Sequence, residues 1–507
     1  MKKIFFLAAL CFTALFAQDY STHNVNRPYT LRTMEYSPLL NRFHDMTAGS
    51  APQTFFYPQI DSSFRQKKDT SSWLFWHAED GRSKLNISPM LAWDVRGGKQ
   101  FGDTINGYEF GMHMSGYIDS VEFWLDARIF SEGRAQKDHS KWSSWDREFI
   151  EKQGNKPNQG DGLLKEVDYS SYARYRGHIA MRMGWAVLGF ARDAQHWGPG
   201  YYNNLSLNQA SVPYNQVSLT TKIGPLSVVS LYADLDPAGK CDGRHCTSTS
   251  SMGKEVSRNL YGHRYEFEFG NLTLGISELQ VVYDLNHYWL FVPIVPLFME
   301  KGNYSEDHNS GSVALDFSYR FPIGLRLYSE FFLGDMESPM SLIRNDNIEA
   351  KWAWMAGAEY AGSFGSWRAG SIAEYSRIEP YIYTHFDPYT AQFAHLNYPI
   401  GSQAGAHSLS IDWLVYARHA KHLQVQLKQG WFWKGECASD LNFPTPRVDH
   451  HSTGKYEGCE ERYFLDGAKM QYSLTPAIAY MGRHFAVSTE YTFFDRNAFV
   501  ARVMALW

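Results

Sequence analysis

Phe499-Val500-Ala501-Arg502-Val503-Met504-Ala505-Leu506-Trp507 is the stretch that decides the fold. Phe499, Ala501, Val503, Ala505 and Trp507 stand at every second position, so an extended strand gathers them on one face. The same period recurs upstream. Val121, Phe123, Leu125, Ala127 and Ile129 alternate with Glu122, Trp124, Asp126 and Arg128; Ile323, Leu325, Leu327, Phe331 and Leu333 alternate with Arg326 and Glu330; Phe485, Val487, Tyr491 and Phe493 alternate with His484, Ser488 and Glu490. Such segments run to roughly 10 residues with aromatics near both ends, the length a tilted strand needs to cross a bilayer and the girdle it carries at the interfaces. A soluble β-sandwich also alternates, but it has no use for so many strands of that length. Beyond the first residues nothing is long and apolar enough for a membrane helix, which takes roughly 20 residues. A chain of this kind spans a membrane only as a closed barrel.

The connections give a second test, because outer-membrane barrels use short turns on the periplasmic side and long loops outside. Short turns fall near Asp119, Gly184, Gly224-Pro225, Gly270-Asn271, Pro322, Gly362 to Ser366, Ala420 and Gly482. Long connections fall near 97 to 106, 133 to 169, 193 to 213, 236 to 258, 283 to 309, 335 to 350, 378 to 404 and 435 to 462, with a tight one at Asp495-Arg496. The two kinds alternate throughout. The expectation is an all-β, transmembrane antiparallel β-barrel of about 18 strands, with about 16 as the other even count, both of which return the C-terminus to the periplasm. Its terminal amphipathic strand, closed by Trp507, resembles the signal by which such barrels engage the barrel-assembly machinery, with outer-membrane lipid as the surrounding medium.

At the other end, Lys2 and Lys3 precede the apolar run Ile4 to Ala14, and Ala17 stands before Gln18-Asp19, the layout of a cleavable secretory signal over residues 1–17. A lipoprotein signal needs a small residue before Cys11, and Leu10 stands there. Residues 18–80 are polar, hold several prolines and keep no period, so they read as a periplasmic extension placed to cap or plug the barrel; Leu31 to Met46 reads as one helix interrupted at Pro38. Residues 81–507 are the barrel.

A mean hydropathy of −0.40 with 16% aromatics suits strands that show one face to lipid and the other to water. Loss of Lys2 and Lys3 takes the formal charge from −5 to −7, which speaks against a nucleic-acid partner. Of the five cysteines, Cys11 leaves with the signal. Cys241 with Cys246 and Cys437 with Cys459 read as two loop-stapling disulfides in an exported protein. Metal binding is the rival, against which stands the spacing of Cys241 and Cys246, not the C-x2-C of a zinc knuckle. No cofactor motif, Gly-x-Ser-x-Gly elbow or His-Glu-x-x-His is present, so no catalytic residue or metal ligand is assigned.

The densest unusual segment is Gly189-Phe190-Ala191-Arg192-Asp193-Ala194-Gln195-His196-Trp197-Gly198-Pro199-Gly200-Tyr201-Tyr202-Asn203-Asn204-Leu205-Ser206-Leu207. A strand reaches Arg192, and Gly-Pro-Gly then forces a turn; the plain reading is a folded loop shaped by its backbone, and the sharper one is a ligand platform. The segment resembles the Gly-x-Asp-x-x-x-Trp-Gly-Pro-Gly signature of the Wzi family of capsule assembly proteins, with Gly189, Arg192, Asp193, Trp197, Gly198, Pro199, Gly200, Leu205, Ser206, Leu207 and Pro213 in the matching places. A second run, Arg377-Ile378-Glu379-Pro380-Tyr381-Ile382-Tyr383-Thr384-His385-Phe386-Asp387-Pro388-Tyr389 followed by His395 and Gly401, is similar to the family's second motif. The resemblance covers roughly residues 83 to 507. It implies a lectin-like barrel in the bacterial outer membrane, its loops exposed to the exterior, that holds capsular or other surface polysaccharide.

Sugar rings stack their C–H faces on aromatics, while their hydroxyls need fixed polar partners. The expected polysaccharide-binding set is Arg192, Asp193, Trp197, Tyr201, Tyr202, Arg377, Glu379, Tyr383, His385 and Asp387. Arg192, Arg377 and Lys434 are suited to uronate carboxylates, which arginine grips bidentately. Trp431 and Trp433 fall on a lipid-facing register and read as girdle residues. The alternative is a porin or substrate-specific channel, favoured by the charged lumen register of Arg128, Arg326, Glu330 and Glu490. A membrane-embedded hydrolase using a carboxylate pair such as Glu374 with Glu379 is the third reading.

Overall fold

The computed structural model describes residues 76–79, 82–97, 105–134, 169–208, 211, 213–235, 257–283, 288–294, 296–297, 309–336, 350–380, 382–383, 393–395, 398–402, 404–419, 423–435, 464–465, 467–481, 485–494 and 498–506. The leader, the helix expected over Leu31 to Met46, all the cysteines, His385 and Asp387 lie outside the described residues.

A short β1 (Trp76–Glu79) precedes β2 (Ser83–Gly97), β3 (Ile105–Ile118), β4 (Val121–Arg134), β5 (Tyr169–Arg182) and β6 (Ala186–Asp193). Next come β7 (Tyr214–Ile223), β8 (Leu226–Leu235), β9 (Arg258–Phe269), β10 (Leu272–Tyr283), β11 (Asn309–Arg320) and β12 (Leu325–Met336). After β13 (Ala350–Phe364) and β14 (Trp367–Ile378), the two-residue strands β15 (Ala394–His395) and β16 (Tyr398–Pro399) pair with each other within one connection. The set ends with β17 (Ser408–His419), β18 (Leu423–Lys434), β19 (Lys469–Met481), β20 (Phe485–Phe494) and β21 (Ala498–Leu506).

From β2 onward each long strand pairs antiparallel with the next, β14 passing to β17. β21 then returns to β2, Leu506 opposite Met90 through Phe499 opposite Gly97. The pairings of 18 long strands therefore close on themselves, and closure removes the exposed edges that an open sheet would present. β1, within the stretch read as an extension, occupies the edge of β2 just past the end of β21: Trp76 pairs with Ile87 and Glu79 with Lys84. The turns fall where glycine and its neighbours place them. Gly270, at φ 60°, joins β9 to β10, and Asp119, at φ 49°, joins β3 to β4.

Alternation sorts the two faces. Phe110, Phe190, Leu274, Ile276, Leu315, Phe317, Leu327, Trp354, Trp413, Val487 and Val503 are exposed on the outward register, where a soluble protein would not leave them. Trp431 and Trp433 share that register on β18, with buried Phe432 between them on the inward one. Inward, Arg264, Glu266, Asp316, Arg326, Glu330, Glu359, Glu374, Asp412 and Glu490 are buried, not bathed in a wide aqueous lumen. What covers many of them is the chain itself: residues after β6 and after β14 fold into the barrel, and their apolar side chains form one cluster with the inward faces of β7 to β18.

Candidate functional site

Residue 194 to residue 208 forms the first inserted segment. Trp197, 1% exposed, pairs its backbone with Leu207 in an isolated bridge and lays its ring against β9. Gly262 leaves the room: a Cβ there would stand 2.8 Å from the Trp197 ring. Gly198, at φ 111°, turns the chain where a Cβ would stand 2.6 Å from the Glu330 carboxylate. The turn chemistry of Gly-Pro-Gly thus serves a close approach between backbone and lumen wall.

Two lumen carboxylates hold the rest of the segment in place. The Glu374 carboxylate on β14 accepts the backbone N–H groups of Tyr201, Tyr202 (2.7 Å) and Asn203 (3.2 Å), and the Tyr328 hydroxyl at 2.8 Å. Consecutive N–H groups converging on one anion form a nest, here filled by a side chain of the same protein. Glu330 on β12 accepts the N–H of Leu205 at 2.7 Å and of Ser206 at 2.9 Å, with the Ser206 hydroxyl at 2.5 Å. Arg326, paired with Glu359 at 2.8 Å, donates to the Pro199 carbonyl at 3.0 Å. Asn203 Nδ2 donates to Asp412 at 3.1 Å, and Lys428 lies 4.1 Å over the Tyr202 ring. Charge-assisted bonds of this kind are the strong ones, and losing an acceptor inside leaves the donors uncompensated.

The second segment follows β14 and meets the first. Tyr383 donates its hydroxyl to the Leu205 carbonyl at 2.7 Å, Asn208 N–H donates to the Ile400 carbonyl at 2.8 Å, and Tyr383 stacks on Phe393. Burial pushes the Tyr383 phenol up, which keeps its proton available for that bond. Lys434 closes the far side, donating to the carbonyls of Ala404 (3.2 Å) and Ala406 (2.5 Å). The two motifs singled out in sequence, some 180 residues apart, are therefore one interlocked unit.

The expected site residues divide into two groups. Trp197, Tyr201, Tyr202 and Tyr383 are buried in this unit and turn their rings toward protein, not outward as a stacking platform. Asp193 caps the Ala194 N–H at 2.8 Å and pairs with Arg176 at 3.3 Å on the inward register. Arg192 and Arg377 instead share the outward register of their strands. Arg192 lies 4.6 Å over the Tyr175 ring and donates to Asn215 at 3.1 Å. Arg377 sits over Trp352 (5.2 Å) and Phe464 (4.1 Å), and binds Glu379 at 2.7 Å. Burial raises the Glu379 carboxyl and Arg377 beside it opposes the shift. Among the described residues no group of His, Cys, Asp and Glu is placed to hold a metal. Glu330, Glu374 and Asp412 were not legible as anchors, because their partners lie far away in sequence, mainly backbone N–H groups for Glu330 and Glu374 and the Asn203 amide for Asp412; the one signal is a charged residue on an inward register.

An outward apolar belt, a closed antiparallel ring and a lumen filled by the chain's own segments define an outer-membrane β-barrel. Its fold is similar to that of Wzi, an outer-membrane protein involved in group 1 capsule assembly in Escherichia coli and a carbohydrate-binding β-barrel, at 12% identity and a TM-score of 0.50 over 82% of this chain and 83% of that one. Two others it is similar to are OccAB1 of Acinetobacter baumannii (12% identity, TM-score 0.40, 86% and 98% covered) and a BenF-like porin from Pseudomonas fluorescens Pf-5 (8%, 0.43, 84% and 98%). No protein-family model and no curated protein matches the chain.

Proposed function

We propose that this barrel binds a surface polysaccharide at its exterior end and takes part in capsule assembly, without itself making or breaking covalent bonds. The observation that carries this reading is the interlock of the two motif segments through Tyr383 and Leu205, clamped by Glu330 and Glu374. It gives the exterior end a fixed floor, on which loops can hold a polymer that diffuses only slowly. The same floor narrows the bore that a channel would use. The carboxylates that a hydrolase would need are engaged separately, Glu374 with loop N–H groups and Glu379 with Arg377. Wzi, with a barrel of the same kind, binds carbohydrate, and the two motifs resemble that family.

Because the aromatics are internal, the recognition residue in this reading is the outward Arg192, which lies over the Tyr175 ring and is suited to a uronate carboxylate, whereas the Arg377 guanidinium is already engaged by Glu379. The detergent-folded barrel should co-sediment saturably with the extracellular polysaccharide of the producing cell, and Arg192→Ala should weaken it. Binding that Arg192→Ala leaves intact would move the site elsewhere on the barrel. No binding by the parent protein would sink the function itself and turn the question to conductance.

A further inference from the structure

The connection between β10 and β11 carries an apolar run. Its sequence runs Tyr288-Trp289-Leu290-Phe291-Val292-Pro293-Ile294-Val295-Pro296-Leu297-Phe298-Met299. A 3-10 turn over Tyr288–Phe291 and the residues after it lie on the outside of the wall, against β8 to β10. Register fixes the side. Gly262 and Arg264 face inward, toward Trp197 and Asp316, so Tyr261, His263 and Tyr265 between and beside them face outward. On that outer face Leu290 and Leu297 pack on Tyr261 and Val282, the Leu297 N–H donates to Glu278 at 3.3 Å, and Tyr265 donates its hydroxyl to the Pro293 carbonyl.

Beneath this strap the wall carries the wrong chemistry for lipid. Ser230, Asn259, His263, Glu278, Gln280 and Asn309 form a polar stripe on the outward register, and all are buried. The outward apolar positions of β10 that are not buried shrink to half-buried Leu272 and exposed Leu274 and Ile276. That span is about 13 Å along a strand and about 10 Å of depth at a tilt of about 40°, against an apolar band about 25 Å tall. On β12 the outward Leu325, Leu327, Phe331 and Leu333 span about 27 Å of strand, or roughly 20 Å of depth, which nearly fills the band. The pairing series Ile276–Leu315–Phe331 and Glu278–Val313–Leu333 shows that the polar stripe begins at a row where β12 is still apolar. Over that row the strap shows Trp289 and Val292, and above all Ile294, which is 85% exposed.

We infer that the strap, not the strand wall, forms the lipid-facing surface of this sector, with Trp289, Val292 and Ile294 seated among the acyl chains of the outer leaflet. The exposed apolar residues are continuous with the established belt of the barrel, and the depth deficit on β10 is what they fill. The occupant is therefore hydrocarbon, not an aqueous phase or a second barrel.

A nitroxide attached at Ile294→Cys in the full-length protein, folded into phosphatidylcholine–phosphatidylglycerol vesicles, tests this. A label at Leu274→Cys marks the lipid-facing reference, and the unsubstituted protein treated alike supplies the background from the native cysteines. The expected result is strong relaxation by oxygen with loss of relaxation by a water-soluble nickel chelate, as at Leu274. Relaxation by the chelate as strong as for a label in solution would overturn the inference and return the segment to water. Protection from both agents would also overturn it, assigning the surface to a contact between copies.

Discussion

Trp197 shows how little of a residue's role is written at its own position. Its place after a strand and before Gly-Pro-Gly made it conspicuous, and the turn was legible from the glycines alone. Which way the ring points was not, because that depends on Gly262 on β9 and on Glu330 on β12, both distant in sequence. With its ring in a packed cluster, Trp197→Ala should cost about 3–5 kcal/mol, read as a lower thermal midpoint of the detergent-folded barrel. Gly262→Ala drives a methyl into that ring and should cost about 1–3 kcal/mol by overpacking. If Trp197→Ala melts like the parent while glycan binding is lost, the ring is a ligand contact and the packing assignment fails.

At the level of elements, the strands were the legible part. Turn positions read from Gly224-Pro225, Gly270-Asn271 and Pro322 coincide with the ends of β7, β9 and β11, and the long connections fall where expected. The turn expected across Gly362 to Ser366 is narrower: β13 continues to Phe364 because Ser363 and Phe364 still pair with Arg368 and Trp367. What period-two reading cannot see is the path of a loop, since a segment with no regular ladder satisfies its backbone wherever acceptors happen to be. Residues 201 to 203, 205 and 206 find theirs on Glu330 and Glu374. Removing both acceptors, Glu330→Ala with Glu374→Ala, orphans the N–H groups of residues 201 to 203, 205 and 206, at about 1–3 kcal/mol for each buried group left unpaired. The inserted segment should then leave the lumen while the strands stay paired. Planar-bilayer recordings should show larger single-channel current for the double variant than for the parent; equal currents would mean that other contacts hold the segment.

For the whole molecule the decisive contact is the seam. Strand parity and the alternation of short and long connections implied a barrel of about 18 strands, but no local pattern says that the first strand meets the last. That pairing joins residues some 400 positions apart, and its loop-closure cost grows only slowly with length. Closure also explains β1. β21 covers β2 only from Met90 to Gly97, and the hairpin partner Trp76–Glu79 covers Lys84 to Ile87, so backbone groups on the rest of that edge gain a ladder of their own. Val95 lies opposite Ala501 on the outward register of the seam. Opposite residues in an antiparallel ladder hold their Cβ atoms about 4.5–5.5 Å apart, within small adjustments of disulfide geometry. Val95→Cys with Ala501→Cys should therefore oxidise to a bond that joins the two ends of the ring, seen as a crosslinked peptide by mass spectrometry. A shift by one residue would turn one of the pair inward, so Val95→Cys with Val500→Cys should give no such peptide. Crosslinking of the second pair and not the first would mean that the ring closes in a different register, and crosslinking of neither would mean that β2 and β21 do not meet.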